Sequence, residues 1–151
     1  MKNLIKGIIS ASVLLGALAQ GAERGNEAEA VAMVQKTIAH LKQNGREKTF
    51  IEVNDPKGPF VDRDLYVVIN DMNAKNLAHG GNHRILGKNL MDLKDIDGKY
   101  PMRERIAMIK ASGKGWQDYK FVNQATQQIE KKSMYSERYE DLIVSCGVYK
   151  Q

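Results

Sequence analysis

The chain has 151 residues, enough for one domain with a real core and too few for two ordinary ones. It carries 23 Lys+Arg against 18 Asp+Glu, a formal net charge of +5. The basic residues are scattered among acids with no stripe, which argues against a nucleic-acid-binding face, and a single cysteine, Cys146, excludes an intrachain disulfide.

Residues 1–19 read as a signal peptide. Lys2 and Lys6 make a basic start, Ile8 to Leu18 is a short apolar stretch, and Ala17-Leu18-Ala19 gives a small-x-small cleavage pattern before Gln20. The stretch is too short to span a bilayer comfortably, so export and cleavage are preferred to a membrane anchor. Without the two leader lysines the net charge falls to +3. The rest, 20–151, reads as a single domain.

Glu27 to Asn44 predicts an amphipathic helix, with Val31, Val34, Ile38 and Leu41 on one stripe. Asn26 and Glu29 have the spacing of a capping box, and Gly45 ends the helix. Residues 46–60 read as a connector, with Pro56-Lys57-Gly58-Pro59 blocking regular structure. His40 is placed on the solvent side of the helix.

Asp64 to Asp71 predicts a strand. It is apolar on both alternating faces, so the sheet should be covered on both sides. A turn follows, and Asn76 to Ala78 begins a short partner strand. His79 to Lys99 is rich in Gly, Asn and Asp and reads as loop with short helical turns around Leu90 to Leu93. So long an irregular stretch in a small domain points to pocket formation. Pro101 opens a second helix, with Met102, Ile106 and Ile109 facing inward and Ser112-Gly113 closing it. Three strands follow, at about 115–122, 128–137 and 141–149, joined by polar turns. Helix, two strands, loop-helix and three strands make an antiparallel α+β fold.

Catalytic signatures are missing: there is no Gly-x-Ser-x-Gly elbow, phosphate loop or dinucleotide fingerprint. Cys146 lies between Val144 and Val148 and reads as buried packing rather than as a nucleophile. His79 and His83 are four apart, but Gly80-Gly81 between them opposes the helix that would align them on a metal. No catalytic residue, metal ligand or cofactor is assigned. Small-ligand binding is the strongest option, because such sites combine aromatic walls with a few placed polar groups. Tyr66, Trp116, Tyr119, Tyr135 and Tyr149 lie on strands, and His79, Asn82 and Arg103 on the loop-helix segment.

The ordered set Asp64-Leu65-Tyr66-Val67-Val68-Ile69-Asn70-Asp71, Leu77-Ala78-His79, Gly87-Lys88-Asn89, Gly115-Trp116-Gln117-Asp118-Tyr119-Lys120-Phe121, Lys132-Ser133-Met134-Tyr135 and Asp141 to Tyr149 resembles a single Cache domain of type 2. This is a small-ligand sensing module of bacterial extracytoplasmic receptors, and the resemblance covers about residues 26–150. Where the family often has Pro after the His of Leu-Ala-His, Gly80 and Gly81 stand here, which implies a looser loop.

The resemblance implies a PAS-like antiparallel sheet of about five strands. A long N-terminal helix covers one face and the loop-helix segment the other, with the pocket under the latter. Its expected ligand-binding residues are Tyr66, His79, Arg103, Tyr119, Tyr135 and Gly147. The expected ligand is a small organic molecule, with Arg103 or Lys88 as charge partner if it is a carboxylate. The protein is then periplasmic or secreted and is expected to bind no nucleic acid. It has no membrane span in the mature chain, so it needs a membrane receptor or kinase partner in order to signal. Two alternatives are an interaction module with a closed pocket and a small secreted haem or metal protein or enzyme.

Overall fold

The computed structural model describes residues 23–150. The proposed leader, 1–19, lies outside them. Helix α1 runs Glu27–Asn54 and opens with the expected capping box: Asn26 accepts from the Glu29 amide at 3.0 Å and Glu29 accepts from the Asn26 amide at 2.9 Å. Gly45 breaks it, with φ 79° and ψ 175°, as a residue without Cβ can. The chain does not then become a connector. Helix resumes to Asn54, where the sequence reading placed an irregular segment.

One reason is that the second half has partners. Thr49 and Val53 are buried, and His40, expected to face solvent, meets Thr49 Oγ1 at 2.8 Å and Glu52 at 3.1 Å with its edge on Phe60. The break itself is tied to the sheet by Arg46, which pairs with Glu140 and Asp141.

The sheet has six antiparallel strands: β1 (Val61–Asp62), β2 (Leu65–Asp71), β3 (Asn76–His79), β4 (Lys114–Val122), β5 (Ile129–Tyr139) and β6 (Leu142–Tyr149). Their order is β1-β2-β6-β5-β4, with β3 also on β2. The two-residue β1 is too short to give a periodic signal. Helix α2 (Pro101–Ser112) begins at its proline and ends on Gly113. Between β3 and α2 lie one 3-10 turn, His83–Ile85, and a further turn at Leu90–Leu93.

Alternation divides the side chains of each strand between two faces. On the α1 face Val67, Ile69, Val144, Cys146 and Val148 meet Ala30, Val34, Ile38 and Leu41 in one apolar cluster. Each fully buried aliphatic side chain there is worth about 1.5–3 kcal/mol of apolar transfer. Burial pushes the Cys146 thiol up to about 12, as suits a packing residue. On the other face α2 and the 80–100 loop lie over Tyr66, Val68, Asn70, Tyr119, Lys132 and Met134. Strand β6, central in the sheet, is buried along all eight residues because both faces are covered.

Candidate functional site

Under α2 and the loop lies a cavity of about 50 Å³, room for a few waters or a ligand of a few heavy atoms. Its floor is β2, β4 and β5; its roof is α2 with Ile85, Leu90 and Leu93. Most of the wall is apolar, and the polar groups in it are unusual.

Lys132 is the first. Its side chain is 1 % exposed, and its Nζ donates to Tyr66 Oη at 2.7 Å and Tyr149 Oη at 3.2 Å. Tyr149 Oη donates onward to the Val122 carbonyl at 2.9 Å, so the 3.0 Å contact between the phenols runs from Tyr66 to Tyr149. Nζ also stands 4.2 Å and 4.5 Å from the Tyr66 and Tyr149 ring centres. Burial pushes the ammonium down to about 7; the nearby Arg105 acts the same way, while Cys146 and Asp64 act against the shift.

Arg105 is the second cation. It is 5 % exposed, and its Nε donates to Gln117 Oε1 at 3.3 Å. Among the described residues no carboxylate comes within 4.0 Å of Lys132 or Arg105. Asp95, the acid in the wall, accepts instead from the backbone amides of Asp97, Lys99 and Lys120.

Asn70, fully buried at the cavity, has neither its side-chain oxygen nor its nitrogen hydrogen-bonded. His79 accepts at Nδ1 from the amides of Gly81 (3.0 Å) and Asn82 (2.8 Å), which leaves the proton of the neutral ring on Nε2. Burial, then Lys132, His83 and Arg105, push this imidazole down to about 3, so it stays neutral. The loop after His79 is not loose: Cβ atoms on Gly80 and Gly81 would come 3.1 Å and 2.9 Å from Tyr66.

Of the residues expected from sequence, Tyr66, His79 and Tyr119 line the cavity. Gly147 lies under it in a different role. A Cβ there would stand 2.6 Å from Lys132 Cε and 3.0 Å from the Ser133 carbonyl. The space above the glycine is therefore taken by the lysine stem and not by open cavity. Arg103 does not reach the site: it is half-exposed, pairs with Asp92, donates to the Met91 carbonyl at 3.0 Å and stacks on Tyr100.

Tyr135 faces α1. It pairs across the strands with Trp116 and Cys146, and its hydroxyl donates to Glu137 at 3.0 Å. Register explains this: Tyr119 pairs with Lys132, three residues from Tyr135 and thus on the opposite face.

Lys132, Arg105 and Asn70 were missed. Arg105 has a signal, since Met102, Arg105, Ile106 and Ile109 have the 3/4 spacing of one helix face. Arg103 is about 200° away around the helix from Arg105. Among the described residues no three His, Cys, Asp or Glu side chains converge as a metal site, and no helix is long and apolar enough to cross a membrane.

Solved structures share this architecture. A Cache chemosensory domain described for its recognition of carboxylic acids matches with a TM-score of 0.68 and 24% identity, over 82% of this chain and 92% of that one. A methyl-accepting chemotaxis protein from Vibrio parahaemolyticus matches at 0.69 and 20% identity, over 81% and 86%. The periplasmic sensor domain of a chemotaxis protein matches at 0.65 and 18%, over 82% and 90%. At these identities the likeness establishes the fold. No curated protein sequence matches. The model described as Single Cache domain 2 matches residues 1–151, and the chain belongs to that family.

Proposed function

We propose that this protein is an exported sensory domain whose cavity binds a small monocarboxylate. One observation carries the reading: two buried basic side chains, Lys132 and Arg105, face one cavity with no carboxylate against either. A buried charge is costly unless paired, and an incoming carboxylate supplies the pair. In this reading Lys132 Nζ and the Arg105 guanidinium hold the two oxygens, and the Asn70 amide and His79 Nε2–H complete the donor set.

Tyr66 and Tyr149 position Lys132, and Tyr119, Met102 and Met134 take the apolar end of the ligand. The volume favours acids of two to four carbons, on the order of what about 50 Å³ admits. The carboxylic-acid-recognising relative supports the ligand class by analogy. The family match favours binding over catalysis. The leader-like start of the sequence and the family's extracytoplasmic members support a periplasmic location, with a membrane receptor or kinase as signalling partner.

The test is a thermal-shift series on the purified protein with sodium acetate, propionate and pyruvate against acetamide and propionamide. At about a hundred times Kd a ligand adds about 2.7 kcal/mol, a rise of several degrees. The acids should raise the melting temperature saturably and the uncharged amides should not. Equal response to acids and amides, or to neither, would reject the reading.

A further inference from the structure

We infer that, given the carboxylate reading above, the anion and a proton enter this site together, the proton going to Lys132 Nζ. Every neighbouring element contributes a neutral or a cationic group, apart from Asp64 and Asp95.

From β2 comes the Tyr66 phenol, and from β6 the Tyr149 phenol, both in hydrogen-bond contact and both held un-ionised by burial. Cys146, also on β6 but pointing to the α1 side, is a buried thiol whose pKa is raised to about 12. From β3 comes His79, neutral because its Nδ1 is occupied by two amides. The 3-10 turn after it adds His83. From β4 comes Tyr119, and from α2 the Arg105 guanidinium, which repels a second cation.

The loop adds Lys94, whose ammonium sits 5.1 Å from the Tyr100 ring, and Asp95, whose carboxylate is held by three backbone amides. Asp64, just before β2, is the one carboxylate whose field favours a charged Lys132, beside the Cys146 thiol. It does so from beyond ion-pair distance, with Oδ1 held by the Gly25 amide at 2.7 Å.

An empty site therefore sets only the hydroxyls and ring faces of Tyr66 and Tyr149, and no anion, against an ammonium. Arg105 keeps its proton, as guanidinium does, and the lysine is the group that gives way. Its pKa falling to about 7 agrees with that arrangement. A carboxylate arriving at Nζ reverses the balance, because an opposite charge in contact favours the protonated amine. The step is Lys132–NH2 + H+ + RCOO− giving Lys132–NH3+ paired with RCOO−. The proton comes from solvent, and no covalent bond other than N–H forms. The ligand is already ionised, since carboxylic acids titrate near about 4.

The linkage sign follows. Below the ligand-free lysine pKa the amine is already charged and affinity is flat with pH. Above it each pH unit weakens binding by up to about tenfold, because a proton must be taken from ever scarcer supply.

Two measurements on the full protein test this. In the first, the Lys132 ε-methylene carbon is followed by NMR through a pH titration without ligand, with Lys132→Met to assign the signal. A midpoint between about 6 and 8 is expected; a midpoint above about 9, near that of a free lysine, would overturn the inference. In the second, acetate and propionate are titrated calorimetrically at about pH 8, above the ligand-free lysine value, in phosphate and in Tris, whose ionisation enthalpies differ. Heats that differ by the uptake of most of one proton are expected, and heats independent of buffer would overturn it. If neither acid binds at any pH, the carboxylate reading falls and this coupling falls with it. If the acids bind without proton uptake, only the coupling falls.

Discussion

The two faces of the sheet are made by the same strands and follow opposite rules. Toward α1, β2 and β6 present Val67, Ile69, Val144, Cys146 and Val148 to an aliphatic helix stripe. Toward α2, the same strands present Tyr66, Asn70 and Tyr149, and β5 adds Lys132. The first face gains from every contact. The second buries a lysine, an arginine and an unpaired amide around a space, which costs stability. A small domain can carry such a site because its other face is packed without compromise, and the sheet between them keeps the two separate.

Three substitutions probe that separation. The largest effect on folding is expected from the α1 side. Ile69→Ala, at a fully buried position, should cost about 2–5 kcal/mol in denaturant melts. Carboxylate affinity of the protein that remains folded should be unchanged, and a loss of affinity would show that the faces are coupled.

Lys132→Met comes next and should have opposite effects on binding and stability. Loss of a charge-assisted contact of about 1.5–3 kcal/mol predicts a drop in affinity of roughly tenfold to a hundredfold. The melting temperature should rise. Because the folded protein lowers this lysine from 10.5 to about 7, the penalty is present in full below about 7 and is relieved as pH climbs toward 10.5. The gain in melting temperature should therefore be greatest near neutral and acid pH and shrink in base. A variant that melts lower at every pH would mean the lysine holds the face together.

The smallest effect is expected from Arg103→Ala. An exposed guanidinium paired with exposed Asp92 contributes under about 1 kcal/mol to stability, and it stands outside the cavity. Stability and affinity should both be near those of the parent, and a clear loss of binding would move the site toward the α2 surface.

The contrast between faces also decides what was legible in the sequence. Strands β2 and β6 announce themselves by apolar runs, β4 and β5 by aromatics between polar turns, and α2 by its proline and its stripe. The α1 face needs only hydrophobicity and period, and both are visible in one dimension. The α2 face needs exceptions. Lys132 reads as solvated because lysines usually are; only the register that sets it opposite Tyr149 and beside Tyr119 shows it enclosed. Arg105 is legible from its spacing with Met102, Ile106 and Ile109, and that same stripe turns Arg103 away from the sheet. Tyr135, which the resemblance implies as a pocket residue, falls on the α1 side because it is an odd number of positions from Lys132. The continuation of α1 past Gly45 was hidden because it depends on partners, Phe60 and the β5–β6 turn, that are remote in sequence.

Gly147 has a consequence for how this site can change over time. Its missing side chain is the space in which the Lys132 stem lies, so the two positions constrain each other's mutational history. Enlarging residue 147 first drives a Cβ into the lysine and the Ser133 carbonyl, a step penalised at once. Shortening residue 132 first removes the tightest of these contacts, after which a larger residue at 147 meets a smaller penalty, from the Ser133 carbonyl and Met134 Sδ. The second order is therefore the less penalised one. A lineage that has taken both no longer regains the cation by a single reversal, because a lysine returning at 132 meets an occupied floor. Loss of this site acts as a ratchet, set by one hydrogen atom where other residues carry a side chain.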